Sequence, residues 1–193
     1  MPPQKERWPA SWDDADGLTP AQRVRAVVHA ITDGTTARPG QLRGLPVEMI
    51  LEVERDQRAP MADAYREFLS LIGGGAGRFM QGSDVYHPQC LGLGTAAREL
   101  LEENDSPFRF EPTDRVFFMH QGYQFEFLRG TGPDPEVCSY SEGVHGDIPA
   151  RTRASFTEWL RAAADTEIPV WKHYAETVRE EVNADGTITA YWN

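Results

Sequence analysis

Apolar residues recur at helical spacing over several stretches of the chain, each bounded by recognisable start and stop residues. Val24, Val27, Val28 and Ile31 form one stripe. Thr19 and Gln22 make a capping box before it, Pro20 takes the first helical position and Gly34 ends it. A second helix follows Pro46, with Met49, Ile50 and Val53 on one side, and stops near Arg58-Ala59-Pro60. A third covers 62–72, where Tyr65, Phe68, Leu69 and Ile72 share a face until the run Gly73-Gly74-Gly75-Ala76-Gly77 breaks it. Thr95 reads as the cap of a fourth, which carries Leu100 and Leu101 and ends over 102–107. Ser155 and Glu158 form a second capping box, with Phe156, Trp159, Leu160 and Ala163 facing inward. Pro169 opens a last helix with Trp171, Tyr174, Val178 and Val182 on one face.

Period-two alternation is strongest in the middle of the chain. Segments 116–119 and 123–127 flank His120-Gln121-Gly122, and Tyr123, Phe125 and Phe127 alternate with polar residues, which predicts a hairpin with one buried face. Short strands are expected at 78–81, 84–87 and 137–140, and a terminal one at 187–192 after the turn at 183–186. Residues 1–18, rich in Pro, Trp and Asp, form a loose lead-in without a period, and 35–44 reads as a linker or long loop. The order helices, strands, helices predicts an α+β fold with a central, mostly antiparallel sheet flanked by helices. Residues 1–44 are then an N-terminal extension with one amphipathic helix and a linker, and 45–193 the domain with its C-terminal helix and strand.

Charge narrows the partners. Asp and Glu number 30 against 19 Lys and Arg, a net of −11, and the excess is concentrated over 99–147, which holds only Arg109, Arg115 and Arg129 as cations. Nucleic-acid phosphates and anionic membranes are repelled, so neither is an expected direct partner, whereas a basic protein is attracted. No apolar run reaches the length of a membrane helix, and the N-terminal stretch lacks the apolar segment of a signal peptide. With two cysteines, Cys90 and Cys138, a disulfide scaffold is excluded and a cytoplasmic location is expected.

Several patterns invite a chemical reading. The glycine run after Ile72 lacks a following Lys-Ser/Thr and terminates a helix, the wrong polarity for a phosphate loop. Gly92-Leu93-Gly94 opens a helix, with Glu111 downstream, but Pro88, Pro107 and Pro112 interrupt the strands that a dinucleotide fold needs. His87, Cys90, His120 and Cys138 do not have the spacing of a zinc finger or ribbon, and neither cysteine sits in a nucleophile elbow with His120 or His145 as base. Adjacent Glu102 and Glu103 point in different directions from a helix end. No catalytic constellation, cofactor or metal is expected.

Four motifs, taken in order, carry a resemblance. Tyr65-Arg66-Glu67-Phe68-Leu69 followed by Gly73-Gly74-Gly75, the segment RVFFMHQGYQFEF at 115–127, the turn Asp134-Pro135 leading into 137–143, and Ser155-Phe156-Thr157-Glu158-Trp159-Leu160 resemble the Smi/Knr family of the SUKH superfamily over about residues 45–162. Tyr65, Phe68, Gly74, His120, Gln121, Gly122, Tyr123, Phe125, Tyr140, Phe156 and Trp159 are the positions on which the resemblance rests. It implies a SUKH-like single α+β domain with N- and C-terminal extensions and no enzymatic activity. Bacterial members are largely inferred to be immunity proteins that neutralise polymorphic toxins, often nucleases, and fungal relatives regulate cell-wall synthesis and signalling. Only two lysines, Lys5 and Lys172, stand among many arginines, a bias of GC-rich bacterial genomes that favours the first role.

The resemblance and the charge together predict a non-catalytic protein-binding domain for a basic toxin, with Glu102, Glu103, Asp105, Glu111 and Asp114 as the acidic interface. Two alternatives stay open. One is a scaffold or regulatory module of the cell-wall or signalling type, and the other a small hydrolase or metal enzyme using His87, Cys90, His120 or Cys138.

Overall fold

The Thr19 hydroxyl accepts the Gln22 backbone N–H at 3.3 Å while the Gln22 side chain accepts the Thr19 N–H at 2.9 Å, and this reciprocal cap starts α1 (Pro20–Ile31). A computed structural model describes residues 17–58, 61–144, 148–183 and 188–192. Residues 1–16 of the lead-in, with Trp8 and Trp12, Ala59-Pro60, His145, Asp147 and residues 184–187, which take in most of the turn expected at 183–186, lie outside the described residues. The stripe of α1 is buried against α3 (Asp63–Ile72) and α5 (Phe156–Thr177). Its valines share one hydrophobic core with the sheet, so residues on both sides of the 44/45 boundary pack together.

The stretch 35–44 is not a free linker. It contains β1 (Leu42–Arg43), which pairs antiparallel with β2 (Gly75–Ala76) inside the glycine run. The run therefore does more than end α3. Gly77 has φ +62°, and a Cβ there would lie 2.7 Å from the Thr36 carbonyl oxygen, so glycine is what lets the two segments meet.

α2 (Val47–Gln57) is seated by Ile50 and Val53, whereas Met49, grouped with them by spacing, lies outside. α4 (Leu93–Glu103) is not capped by Thr95. It starts at Gly92, whose N–H is received by the Asp56 carboxylate of α2 at 3.0 Å, so its N-terminal partner comes from another element. The strand expected at 78–81 is a series of turns, and the one at 84–87 is replaced by β3 (Ser83–Asp84). Phe79 and Met80 are buried as single anchors there, and i→i+3 turn bonds to Phe79 and Gln81 leave no extended run to pair.

The main sheet is antiparallel throughout, in the order β3, β4 (Arg115–His120), β5 (Gln124–Arg129), β6 (Glu136–Ser141) and β7 (Ala150–Arg153). With helices α1 to α5 around it, the molecule has an α+β fold with a central antiparallel sheet flanked by helices. The β4–β5 hairpin turns through Gln121 and Gly122, both at positive φ, as the sequence predicted for Gly122. Its burial differs from the prediction of one dry face: Phe125, Glu126, Phe127 and Leu128 are all buried. Phe108 and Phe110 pack on Phe125 and Phe127 from one side. The opposite face carries the cross-strand row Phe118, Glu126 and Ser139, with Trp159 of α5 edge-on to Phe118. A bulge at Phe117 lets consecutive Phe117 and Phe118 both reach Trp159, at 4.7 and 5.6 Å between ring centroids, where a regular strand would send them to opposite faces.

Ser155 caps α5 as predicted, but Glu158 reaches back to the Ala154 N–H, so the box is not reciprocal at Ser155. α5 also runs through Pro169 as one helix, and Val178 and Val182 belong instead to β8 (Val178–Val182), paired with β9 (Ile188–Trp192). Proline removes one helical hydrogen bond and crowds the preceding turn. The helix is held across it by a Trp171 to Glu167 side-chain bond at 3.2 Å. Glu167 in turn receives the Met80 N–H, and Arg78 lies over the Trp171 and Tyr174 rings while pairing with Glu180. Among the described residues no helix is long and apolar enough to cross a membrane.

Candidate functional site

Four pieces of chain meet at a cleft of about 590 Å³: the end of α2, the first turns of α4, the segment 108–112 and the start of β4. Its apolar floor is Leu101, Phe108, Phe110 and Val116, and its walls are charged, with Asp56, Arg58, Arg98, Glu102, Arg109 and Glu111 around it. The Asp56 bond to Gly92 and a bond from the Gln57 amide to the Val116 carbonyl, at 3.3 Å, tie α2 to the far walls.

The cations of the cleft are braced. Arg98 donates to the Gly94 carbonyl at 2.8 Å and lies over the Phe110 ring, and Arg109 donates to the Ser106 and Phe108 carbonyls. Arg115 is almost wholly buried, and burial pushes its guanidinium below its ordinary value while Glu54 and Tyr65 oppose that shift. Tyr65 is held protonated by its own burial.

Of the five acids expected at an interface, Glu102, Glu103, Asp105 and Glu111 are exposed. None of the four forms an ion pair among the described residues. Asp114 is placed differently. Its carboxylate has no exposed surface, takes two bonds from Arg129 at 2.9 and 3.2 Å and receives the Glu111 N–H, so it braces the loop before β4. The exposed acids also alternate with Arg58, Arg98 and Arg109. Sequence distance concealed only Arg58, which comes from the end of α2, whereas Arg98 stands one turn before Glu102 on α4 and Arg109 follows in the next segment.

No family model matches the chain, and a comparison with curated proteins finds no match.

The candidate nucleophiles sit in surroundings that suppress them. Burial, with Asp56 and Glu52 nearby, pushes the Cys90 thiol up to about 12, and burial also raises Cys138. His120 shares a 2.9 Å hydrogen bond between Nδ1 and the Ser83 hydroxyl, and His87 Nε2 lies 3.0 Å from Glu52. Among the described residues no three His, Cys, Asp or Glu side chains converge as metal ligands.

The motif residues have structural placements. Tyr65, Phe68 and Phe156 form one aromatic cluster with Phe117 and Trp159, and Phe125 stacks on Tyr140. His120 stacks beside Phe118 and meets Tyr123 edge-on, with Tyr123 half exposed past the Gln121-Gly122 turn. The Gly74 N–H donates to the Arg43 carbonyl at 2.7 Å, which joins the glycine run to β1.

Proposed function

We propose that the chain is a non-catalytic protein-binding domain of the immunity type, which neutralises a basic toxin domain, with nucleases the expected class, in the cytoplasm. The observation that carries this reading is the set of exposed carboxylates, Glu102, Glu103, Asp105 and Glu111, at and beside the rim of the cleft. None of them forms an ion pair among the described residues, and they stand on a chain of net charge −11. A cationic protein gains from such a rim in encounter rate, and the interleaved Arg58, Arg98 and Arg109 add a charge pattern by which a wrong partner is rejected. The buried, proton-retaining thiols support the absence of a cysteine nucleophile in this reading. The order of the four SUKH-like motifs supports the immunity role.

The test is affinity capture from the native lysate at low and high salt, followed by co-expression of the captured protein with this chain. A basic protein that arrests growth alone, and does not when co-expressed, is the expected result. Charge reversal at Glu102 and Glu103 is expected to slow association about ten-fold at low salt and to flatten its salt dependence. A captured partner without toxicity, or toxicity that the chain does not relieve, would overturn the reading.

A further inference from the structure

Helices α1, α3 and α4 bury their large aliphatic and aromatic stripes, but α2 does not. Ile50 and Val53 alone seat it, while Val47, Met49 and Leu51 are 64%, 40% and 45% exposed, more than any single neighbouring element leaves in the open. Val47 and Leu51 lie one turn apart in one column, and Glu48 and Glu52 form the adjacent column. A shallow, apolar-walled groove of about 390 Å³ runs beside Leu51, bordered by Glu48, Glu54 and Arg55. Glu54 is held by Arg66 and the Met61 N–H, and Arg55 is folded back onto the Leu51 carbonyl at 3.1 Å. What α2 offers outward is therefore an apolar column flanked by the carboxylates of Glu48 and Glu52, the latter still half exposed beside His87.

We propose that this face of α2 is a docking surface for a cationic amphipathic segment of a protein partner, whose apolar ridge covers Val47 and Leu51 and whose Lys or Arg residues meet Glu48 and Glu52. Charge complementarity selects this occupant. An anionic membrane, or a second copy of this chain at net −11, brings like charge to the same carboxylates. The mode is that of an amphipathic segment laid along an apolar groove. The carboxylate column of Glu48 and Glu52 leads one turn on to Asp56, which forms part of the cleft wall. The inference rests on the protein-binding reading and adds to it which helix makes the contact.

The probe is a fluorescein-labelled helical peptide of Leu and Lys in amphipathic order, titrated into the full-length chain and followed by anisotropy and by amide shifts. Binding that weakens with salt, with the largest shifts over residues 47–55, is expected. V47S/L51S should weaken binding about ten-fold with the thermal midpoint unchanged, because both side chains are exposed, and E48Q/E52Q should reduce the salt dependence. A peptide with Glu in place of Lys should not bind. Shifts centred on Glu102 and Glu103, equal affinity for V47S/L51S, or equal binding of the Glu peptide would overturn the proposal. Peptide mapped to α2 with no toxin in the lysate capture would uphold the surface and remove the immunity role. Toxin relief that V47S/L51S leaves intact would do the reverse.

Discussion

Asp134, in the loop between β5 and β6, receives both the backbone N–H and the hydroxyl of Thr157 in the first turn of α5, at 3.0 and 2.6 Å. Thr157 is fully buried, so no water replaces the carboxylate, and the same loop accepts the Ala64 N–H of α3 through the Pro133 carbonyl. One short loop thus fixes the starts of two helices against the sheet. The Asp134-Pro135 turn is thus a clamp as well as a bend.

Asp134→Ala should therefore cost about 2 kcal/mol of stability, since it strands a buried hydroxyl and an N–H. Urea unfolding checks this. In a double-mutant cycle with Thr157→Val, the two losses should be strongly non-additive. Additive losses would mean the pair is not coupled.

Glu126 sits in the middle of the sheet with Oε2 unpaired, and burial pushes its carboxyl up to about 7, opposed by Arg153. The unfolded value is lower, 4.5, so its contribution to stability is complete below that pH and is lost as pH rises through about 7. Glu126→Gln should match the wild type near pH 4 and be the more stable protein at pH 8, by on the order of 3 kcal/mol. Unfolding free energies measured across this range give the difference curve. A curve without slope between the two values would exclude a buried, protonated Glu126.

Arg78 is the joint between the C-terminal hairpin and the rest, because it contacts Trp171 and Tyr174 and pairs with Glu180. Arg78→Ala should raise hydrogen exchange over 178–192 while lowering global stability by only about 1 kcal/mol. Exchange that rises equally in β4 and β5 would show that the hairpin and the core open together.

Both thiols should be silent toward a disulfide reagent in the native protein at neutral pH and react fully in denaturant, as buried groups with raised values do. Rapid native labelling of Cys90 would contradict its burial and reopen the nucleophile reading.

Helix starts and apolar stripes were legible because they depend on residues within one or two turns. The Thr19–Gln22 cap, the α1 and α3 stripes and the phenylalanine alternation around Gly122 are of this kind. The same locality explains the misreadings. Thr95 has the chemistry of a cap, but Asp56 already receives the N–H at the start of α4. Pro169 has the chemistry of a helix start, but side chains bridging it keep α5 continuous. Glu126 has the chemistry of an exposed position, but α5 covers its face of the sheet.

The candidate site divides along the same line. Acidity and the exposure of Glu102 and Glu103 follow from composition and a helix end, whereas the burial of Asp114 under Arg129 and the arrival of Arg58 from α2 at the cleft do not. By itself the sequence determined the α1 cap, the buried stripes of α1 and α3 and the hairpin around Gly122, since those preferences are set by near neighbours. The tertiary structure alone decided what each face meets. Thr157 with Asp134, Gly92 with Asp56 and Arg78 with Glu180 are contacts across 23, 36 and 102 residues, and no local propensity selects a partner at that distance. Packing the elements around one core brings those groups together, and it leaves the outer face of α2 uncovered.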